Sequence, residues 1–395
     1  MIHHIARILE ILAVLGTVAS MSYYALCLWS AARFLRETRA AGGGARPAQT
    51  ELPVSILKPL KGTDPEMYES LRSHCLQEYP QYEIIFGISD PADSAMQLVK
   101  RLKLEFPQCA ISVIVCAKNL GSNAKVSNLA QMLVMAKYEY IVVNDGDIRV
   151  QPDYLRRVGA PLADPQVGMV TCFYRGVANS TLGSRLESLG ISTDFSAGVL
   201  AVRQLEGSIH FGFGSTLAFR RRDLEAVGGF EAFVDYLADD YEIGRRIAAR
   251  GLEVKLSDVV VDTFLPSYTL RQFVNHQLRW GRTVRDSRPW GYLGLGLSFG
   301  LPWAALALLL SNGVLWAWVL LIVVLELRAA VAFVVGWLVL RDRQAMTLLA
   351  LLPLRDVVAL LIWMASLVGH TVVWGGDSFK LEDGRLVRVD SKISR

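Results

Sequence analysis

At 395 residues the chain is too long for one small domain and too short for several large ones. It is 52% hydrophobic and 20% charged, the balance expected when a polar globular domain is averaged with membrane spans, and one that excludes disorder for most of the chain. The formal net charge is +4, with Lys and Arg spread along the chain and no aromatic-interleaved basic patch, so nucleic acid is set aside as a partner. Five cysteines, Cys27, Cys75, Cys109, Cys116 and Cys172, make an odd set with no CxxC pair, which fits reduced thiols in a cytoplasmic domain and suggests neither a disulfide framework nor a zinc site.

From Ile5 to Trp29 the chain is apolar, with no charge between Glu10 and Arg33, long enough to cross about 30 Å of hydrocarbon as a helix. No small-residue cleavage site is followed by a mature-looking start, and the run continues through Ala31 to Arg36, so residues 1–35 read as an uncleaved transmembrane anchor rather than a signal peptide. Arg33, Arg36, Arg39 and Arg46 follow this span while only Arg7 precedes it, which puts the downstream domain in the cytoplasm. Residues 36–51, with Gly42-Gly43-Gly44 and Pro47, read as a linker.

Residues 52–286 alternate short β-rich runs with helix-length amphipathic stretches, the pattern of a mainly parallel α/β sheet. Strands are expected at Val54–Lys58, Tyr82–Ile88, Ile111–Val115 and Tyr140–Asn144, each ending in a polar or Gly-containing turn where open α/β sheets present ligands. Residues 287–378 are expected to form C-terminal transmembrane segments. The apolar stretch from Tyr292 to about Leu340 is long enough for two spans, and Met346 to Trp374 holds one or two. Arg328, Arg355 and Asp356 within them read either as interfacial or mutually paired charges, or as the lining of a lipid-acceptor path. Residues 379–395 form a polar tail.

Asp90 follows the second strand in a turn with Pro91 and Asp93, where it serves either as a turn former or as a carboxylate that holds a nucleotide base or ribose. Asp145-Gly146-Asp147 follows the hydrophobic strand Tyr140–Val143. Two carboxylates one residue apart on such a turn can hold a hard divalent cation, Mn²⁺ or Mg²⁺, against a diphosphate. Asp239-Asp240-Tyr241-Glu242 opens a helical stretch. Its acids either complement the helix dipole or supply a general base that takes the proton of an attacking hydroxyl, with a like-charged neighbour raising its proton affinity. His276-Gln277-Leu278-Arg279-Trp280 either anchors an interfacial helix or gives Arg279 a diphosphate leaving group and Trp280 a sugar or acceptor.

The ordered set Asp90, Asp145, Asp240 and Arg279-Trp280 resembles the D, D, D, (Q/R)xxRW pattern of processive-type family 2 and family 21 glycosyltransferases. Val54 to Gly62 and Lys125 to Leu129 are similar to ceramide glucosyltransferases. Gly121 to Asn128, Pro161 to Pro165, Phe211 to Gly214 and Leu237 to Tyr241 resemble the bacterial branch that works in hopanoid biosynthesis. The resemblance implies a GT-A type nucleotide-sugar-binding domain between membrane helices, in a bacterial inner membrane with the catalytic domain facing the cytoplasm. It implies transfer of N-acetylglucosamine from UDP-GlcNAc to bacteriohopanetetrol or, in the ceramide branch, of glucose from UDP-glucose to ceramide. By position, Asp90 would contact uridine, Lys125 and Asp239 would lie at the nucleotide-sugar, Asp145 with Asp147 would hold metal and diphosphate, and Asp240 would be the base beside Arg279 and Trp280. Two departures stand out: His276 occupies the place of Gln or Arg, and Asp147 completes a DxD where ceramide enzymes have Gly.

A single base without a second carboxylate nucleophile points to direct displacement with inversion at the anomeric carbon. Two competitors share these residues: a processive polysaccharide synthase, and a membrane scaffold whose domain binds a nucleotide without catalysis. The single helix before the domain and the short membrane region after it favour one transfer to a membrane lipid.

Overall fold

A computed structural model describes residues 2–42, 51–64, 66–374 and 377–388, so Gly43, Gly44, Arg46 and Pro47 of the expected linker and residues 389–395 of the expected tail lie outside the described residues. The chain divides into two compact units. One takes Met1–Gly43, Ala178–Leu205 and Ser267–Asp383, and the other Gly44–Val177, Glu206–Pro266 and Gly384–Arg395, in each case for the residues described.

The second unit is built on an eight-stranded sheet of order β3-β2-β1-β4-β7-β6-β8-β5. Its strands are β1 Val54–Leu60, β2 Tyr82–Ile88, β3 Ala110–Val115, β4 Tyr140–Val143, β5 Ile148–Arg149, β6 Val167–Val177, β7 Leu217–Arg220 and β8 Glu253–Phe264. β3, β2, β1 and β4 are parallel, as the alternating pattern predicts, and β6 is parallel to β8, while β7 runs antiparallel to β4 and β6. Parallel strands with both faces covered read as continuous apolar runs, and Ile56, Ile84, Phe86 and Val142 accordingly share one core with Leu71 and Tyr154. Lys58, wholly buried in β1, departs from this apolar pattern, as do buried Ser55 and Glu83, which hydrogen-bond each other across β1 and β2 at 2.7 Å.

This topology positions the acidic residues. Because β2, β1 and β4 are parallel, Asp90 after β2 and Asp145 after β4 lie at the same edge of the sheet, with β1 between them. Antiparallel β7 starts from that edge, with Leu217 opposite Val143, so the loop Phe211–Thr216 arrives beside Asp145.

The first unit holds three helices long and apolar enough to cross a membrane, at His3–Ala40, Leu315–Val339 and Leu349–Ser366. A fourth possible span is the pair Pro289–Ser298 and Gly300–Leu310, bent by 52°. An amphipathic helix, Leu270–Ser287, starts from a capping box in which Thr269 and Gln272 satisfy each other's backbone N–H groups. β9 Thr371–Trp374 and β10 Asp377–Glu382 form an antiparallel hairpin. The charges of the membrane region are mutually paired: Arg328 stands 2.8 Å from Asp356 and 2.5 Å from Asp194, and Arg355 stands 2.9 Å from Asp194. Asp194 belongs to the stretch Ala178–Leu205, which the sequence reading includes in the 52–286 domain and which here packs with the apolar helices. A charge buried among apolar helices is tolerated when paired and hydrogen-bonded, and this segment supplies the partner.

Candidate active site

Asp145 emerges from buried β4 with its backbone fixed on two sides. Its N–H donates to Gly214 O at 3.3 Å, and its carbonyl accepts from Lys58 Nζ at 3.0 Å. Its carboxylate meets Lys125 Nζ at 2.8 Å. Lys125 projects from the first turn of the helix Ala124–Leu133, which Asn123 caps by accepting from Val126 N at 3.1 Å. The same ammonium stands 3.5 Å from Asp239 Oδ2, an oxygen that makes no hydrogen bond. Burial works to lower the Lys125 ammonium, but Asp145, Asp239 and Asp240 outweigh it and hold it well above the ordinary lysine value.

Asp239 and Asp240 open the helix Asp239–Ala249. Asp240 Oδ2 accepts from Gly214 N at 2.7 Å and its Oδ1 from Tyr241 N at 2.8 Å. Burial and the charge of Asp239 push Asp240 up to about 6, and burial with Asp145 raises Asp239 against the pull of Lys125. Gly214 therefore touches both acidic positions: its carbonyl holds the backbone of Asp145, and its amide holds the carboxylate of Asp240. A Cβ there would lie 2.8 Å from Asp145 Oδ2 and 3.3 Å from Lys125 Nζ, so any larger residue must displace one of these side chains.

Asp147 turns to the other side, where the Thr263 hydroxyl of β8 donates to its Oδ2. Burial and the neighbouring Asp145 raise it to about 6. Beneath the turn, burial lowers Lys58 to about 7 against the pull of Asp147 and Asp145. Its Nζ is 3.4 Å from His74 Nε2, which lies 3.3 Å from Asn144 Oδ1.

Two carboxylates one residue apart, Asp145 and Asp147, with the buried Asp239 Oδ2 lacking a hydrogen bond nearby, make a site rich in negative charge. The oxygen donors suit a hard divalent cation. Among the described residues no three His, Cys, Asp or Glu side chains converge on one point.

The structure thus brings Asp145, Lys125, Asp239 and Asp240 together, with Asp147 on the same turn. Asp90 is exposed at the shared sheet edge, where its carboxylate accepts from Ala92 N at 2.9 Å and shapes the turn. Arg279 and Trp280 belong to the other unit, on the helix Leu270–Ser287. There His276 Nδ1 is 3.0 Å from Glu187 Oε2, and the His276 ring lies 5.1 Å from Trp280 and 5.5 Å from Tyr268. Lys58, Thr263 and Gly214 are the site neighbours that sequence reasoning did not single out. A lysine inside a β-rich apolar run was the available signal for Lys58, whereas Thr263 becomes visible only once β8 is placed beside β5.

A mainly parallel sheet whose C-terminal edge gathers carboxylates and a lysine, with membrane helices before and after it in sequence, defines a membrane-associated GT-A type fold. The chain belongs to glycosyl transferase family 21, whose model it matches over residues 12–387. Ceramide glucosyltransferase 3 of Caenorhabditis elegans is 26% identical over 228 residues, covering 58% of this chain and 49% of the relative. The ceramide glucosyltransferase of Candida albicans is 30% identical over 115 residues, covering 26% of this chain and 21% of the relative. The matches thus span at most about half the length of these relatives. Among solved structures, the mannosyltransferase PcManGT from Pyrobaculum calidifontis, in complex with GDP-Man and Mn2+, aligns with a TM-score of 0.55 at 22% identity. It covers 90% of this chain and 99% of that one, a likeness of fold.

Proposed function

We propose that this protein is a UDP-sugar-dependent, inverting glycosyltransferase that moves one sugar to the hydroxyl of a membrane lipid. The observation that carries the reading is the cluster at the sheet edge, where Lys125 bridges Asp145 and Asp239 while Asp240 is held beside them through Gly214. Asp240, raised to about 6, is poised to be ionised at neutral pH and still basic enough to take the acceptor's proton. Lys125 and Arg279 carry positive charge for the diphosphate, with Lys125 held fully protonated by its carboxylate neighbours. Asp90 serves the uridine and Trp280 the sugar or acceptor. Asp145 and Asp147 would hold a divalent cation, Mn²⁺ or Mg²⁺, which supplies charge stabilisation to the departing UDP when bound. Apolar helices fit an acceptor whose head group is offered at the surface of a bacterial inner membrane while its tail stays in the bilayer.

Two acceptor readings stand side by side. The resemblance of residues 121–128 and 237–241 favours UDP-GlcNAc and bacteriohopanetetrol, and the names of the matched relatives favour a glucosyl donor and ceramide. The test offers each labelled donor with each lipid in detergent. Labelled hopanoid or labelled ceramide decides the acceptor, and a long polymer would return the reading to a processive synthase.

A further inference from the structure

Residues 384–386 run beside the segment that leads into Asp239. Leu237 N donates to Gly384 O at 3.2 Å, Leu386 N donates to Asp235 O at 2.7 Å, and Tyr236 faces Arg385 in an antiparallel bridge. The Arg385 guanidinium lies 5.3 Å from the Tyr236 ring centre, and its Nε donates to the Tyr236 hydroxyl at 3.3 Å. Leu386 is buried.

The opposite edge of the same segment is held by residues 122 and 123. Asn123 N donates to Val234 O at 2.6 Å, Asn123 Nδ2 to Tyr236 O at 2.7 Å, and Ser122 N to Asp235 Oδ1 at 2.8 Å. Gly121 packs so closely on Val234 that a Cβ would lie 2.6 Å from its side chain. Residues 234–237, a turn that leads into the single bridge residue Tyr236, are therefore held by two partners: the cap of the Lys125 helix and residues 384–386.

We propose that Gly384–Arg388 act as a strap that positions Asp239 and Asp240 against Lys125 and Asp145. Asp145 and Asp147 follow a strand buried in the sheet, and the Lys125 helix has its own side-chain cap. The helix opening at Asp239 has none, since Ala238 offers no capping side chain; its first turn is tied to the loop before β7 through Gly212 N to Asp240 O at 3.2 Å and Gly214 N to Asp240 Oδ2 at 2.7 Å, and the backbone leading into it is tied by residues 122–123 and by the strap. Half of that backbone's cross-chain hydrogen bonds go to the strap. Without it, Asp235 O and Leu237 N lose their partners and the segment is free to re-solvate. The acids of residues 239 and 240 then shift relative to a donor site that stays in place. The residues of the strap are positioning residues, and this role rests on the proposed transfer reaction.

The test uses the full-length protein in nanodiscs with two variants, Leu386→Pro, which deletes the N–H to Asp235, and Arg385→Ala, which deletes the stacking on Tyr236. UDP is titrated with Mn²⁺ to count binding sites, lipid transfer is measured per UDP site, and amide hydrogen exchange is followed over residues 234–242 and 140–147. The expected result is a kcat per site lowered about ten- to hundredfold, UDP affinity within about twofold of wild type, and faster exchange confined to 234–242. Wild-type kcat per site, unchanged exchange at 234–242, or a loss of UDP sites in step with activity would each overturn the strap. A wild-type protein that transfers no sugar would instead overturn the functional reading, and the exchange measurement would still decide the strap.

Discussion

Lys125 Nζ lies 2.8 Å from Asp145 Oδ1, so a lysine from a capped helix and a carboxylate from a sheet edge neutralise each other. Lys125 stands 3.5 Å from Asp239 as well, and replacing it leaves two carboxylates without their shared cation. Lys125→Met is expected to weaken UDP-sugar binding about ten- to hundredfold, the value of one charge-assisted hydrogen bond, as read by calorimetric titration.

Asp147 and Asp240, each raised to about 6, titrate in the same pH window. Below it both are neutral, so Asp240 no longer accepts a proton and a cation must displace one from Asp147. The expected profile is a fall in kcat/KM as pH drops through about 6, at about tenfold per unit where one group controls the rate, with Mn²⁺ affinity falling alongside.

The same shifts carry a stability consequence of opposite sign to the usual carboxylate case. A folded pKa above the unfolded value means that the folded state binds its proton more tightly, so these groups favour folding at acid pH and lose that contribution as pH rises through about 6. At pH 7 without metal, Asp147 therefore destabilises the fold by about 1–3 kcal/mol. Asp147→Asn is expected to raise the unfolding temperature in EDTA at pH 7 and to abolish stabilisation by added Mn²⁺.

Gly214→Ala places a methyl group against Asp145 Oδ2 and Lys125 Nζ. The expected cost is about 1–3 kcal/mol of overpacking, together with a loss of transfer activity, because the amide of residue 214 also holds Asp240. Denaturant unfolding and the transfer assay measure the two parts.

Much of this was legible in the sequence because the informative signals are local. Four apolar runs ending in polar turns mark β1 to β4, and paired acids after β4 and before a helix mark Asp145, Asp147, Asp239 and Asp240, which the fold draws to one region of the sheet edge. What stayed hidden depends on long-range neighbours. The loop Phe211–Thr216 reaches Asp145 because β7 inserts beside β4, a pairing no periodicity reports. Nothing local in the sequence marks Asp194 and Glu187, which gain their roles only when Arg328, Arg355 and His276 are folded against them. Residues 384–388 look like part of a polar tail, since a strand's partner is written elsewhere in the chain.

Glu187, 1% exposed at its side chain, accepts from His276 and lies 3.5 Å from Gln277 Nε2. His276→Leu leaves this carboxyl group buried without its 3.0 Å partner and is expected to cost about 1–3 kcal/mol, the range for a lost hydrogen bond to a buried group. His276→Gln keeps a donor at the position and is expected to cost about 1 kcal/mol. Thermal unfolding in detergent compares the two.

The central claim is sugar transfer to a membrane lipid with Asp240 taking the acceptor proton. The direct measurement is single-turnover transfer from labelled UDP-sugar into extractable lipid by the purified protein in nanodiscs, with wild type and Asp240→Asn compared at equal UDP-binding site count. Wild type is expected to give a lipid bearing one sugar, and Asp240→Asn a rate lowered about 10²- to 10⁴-fold, with UDP affinity retained. Equal rates for the two proteins, or no labelled lipid from wild type with either donor, would contradict it.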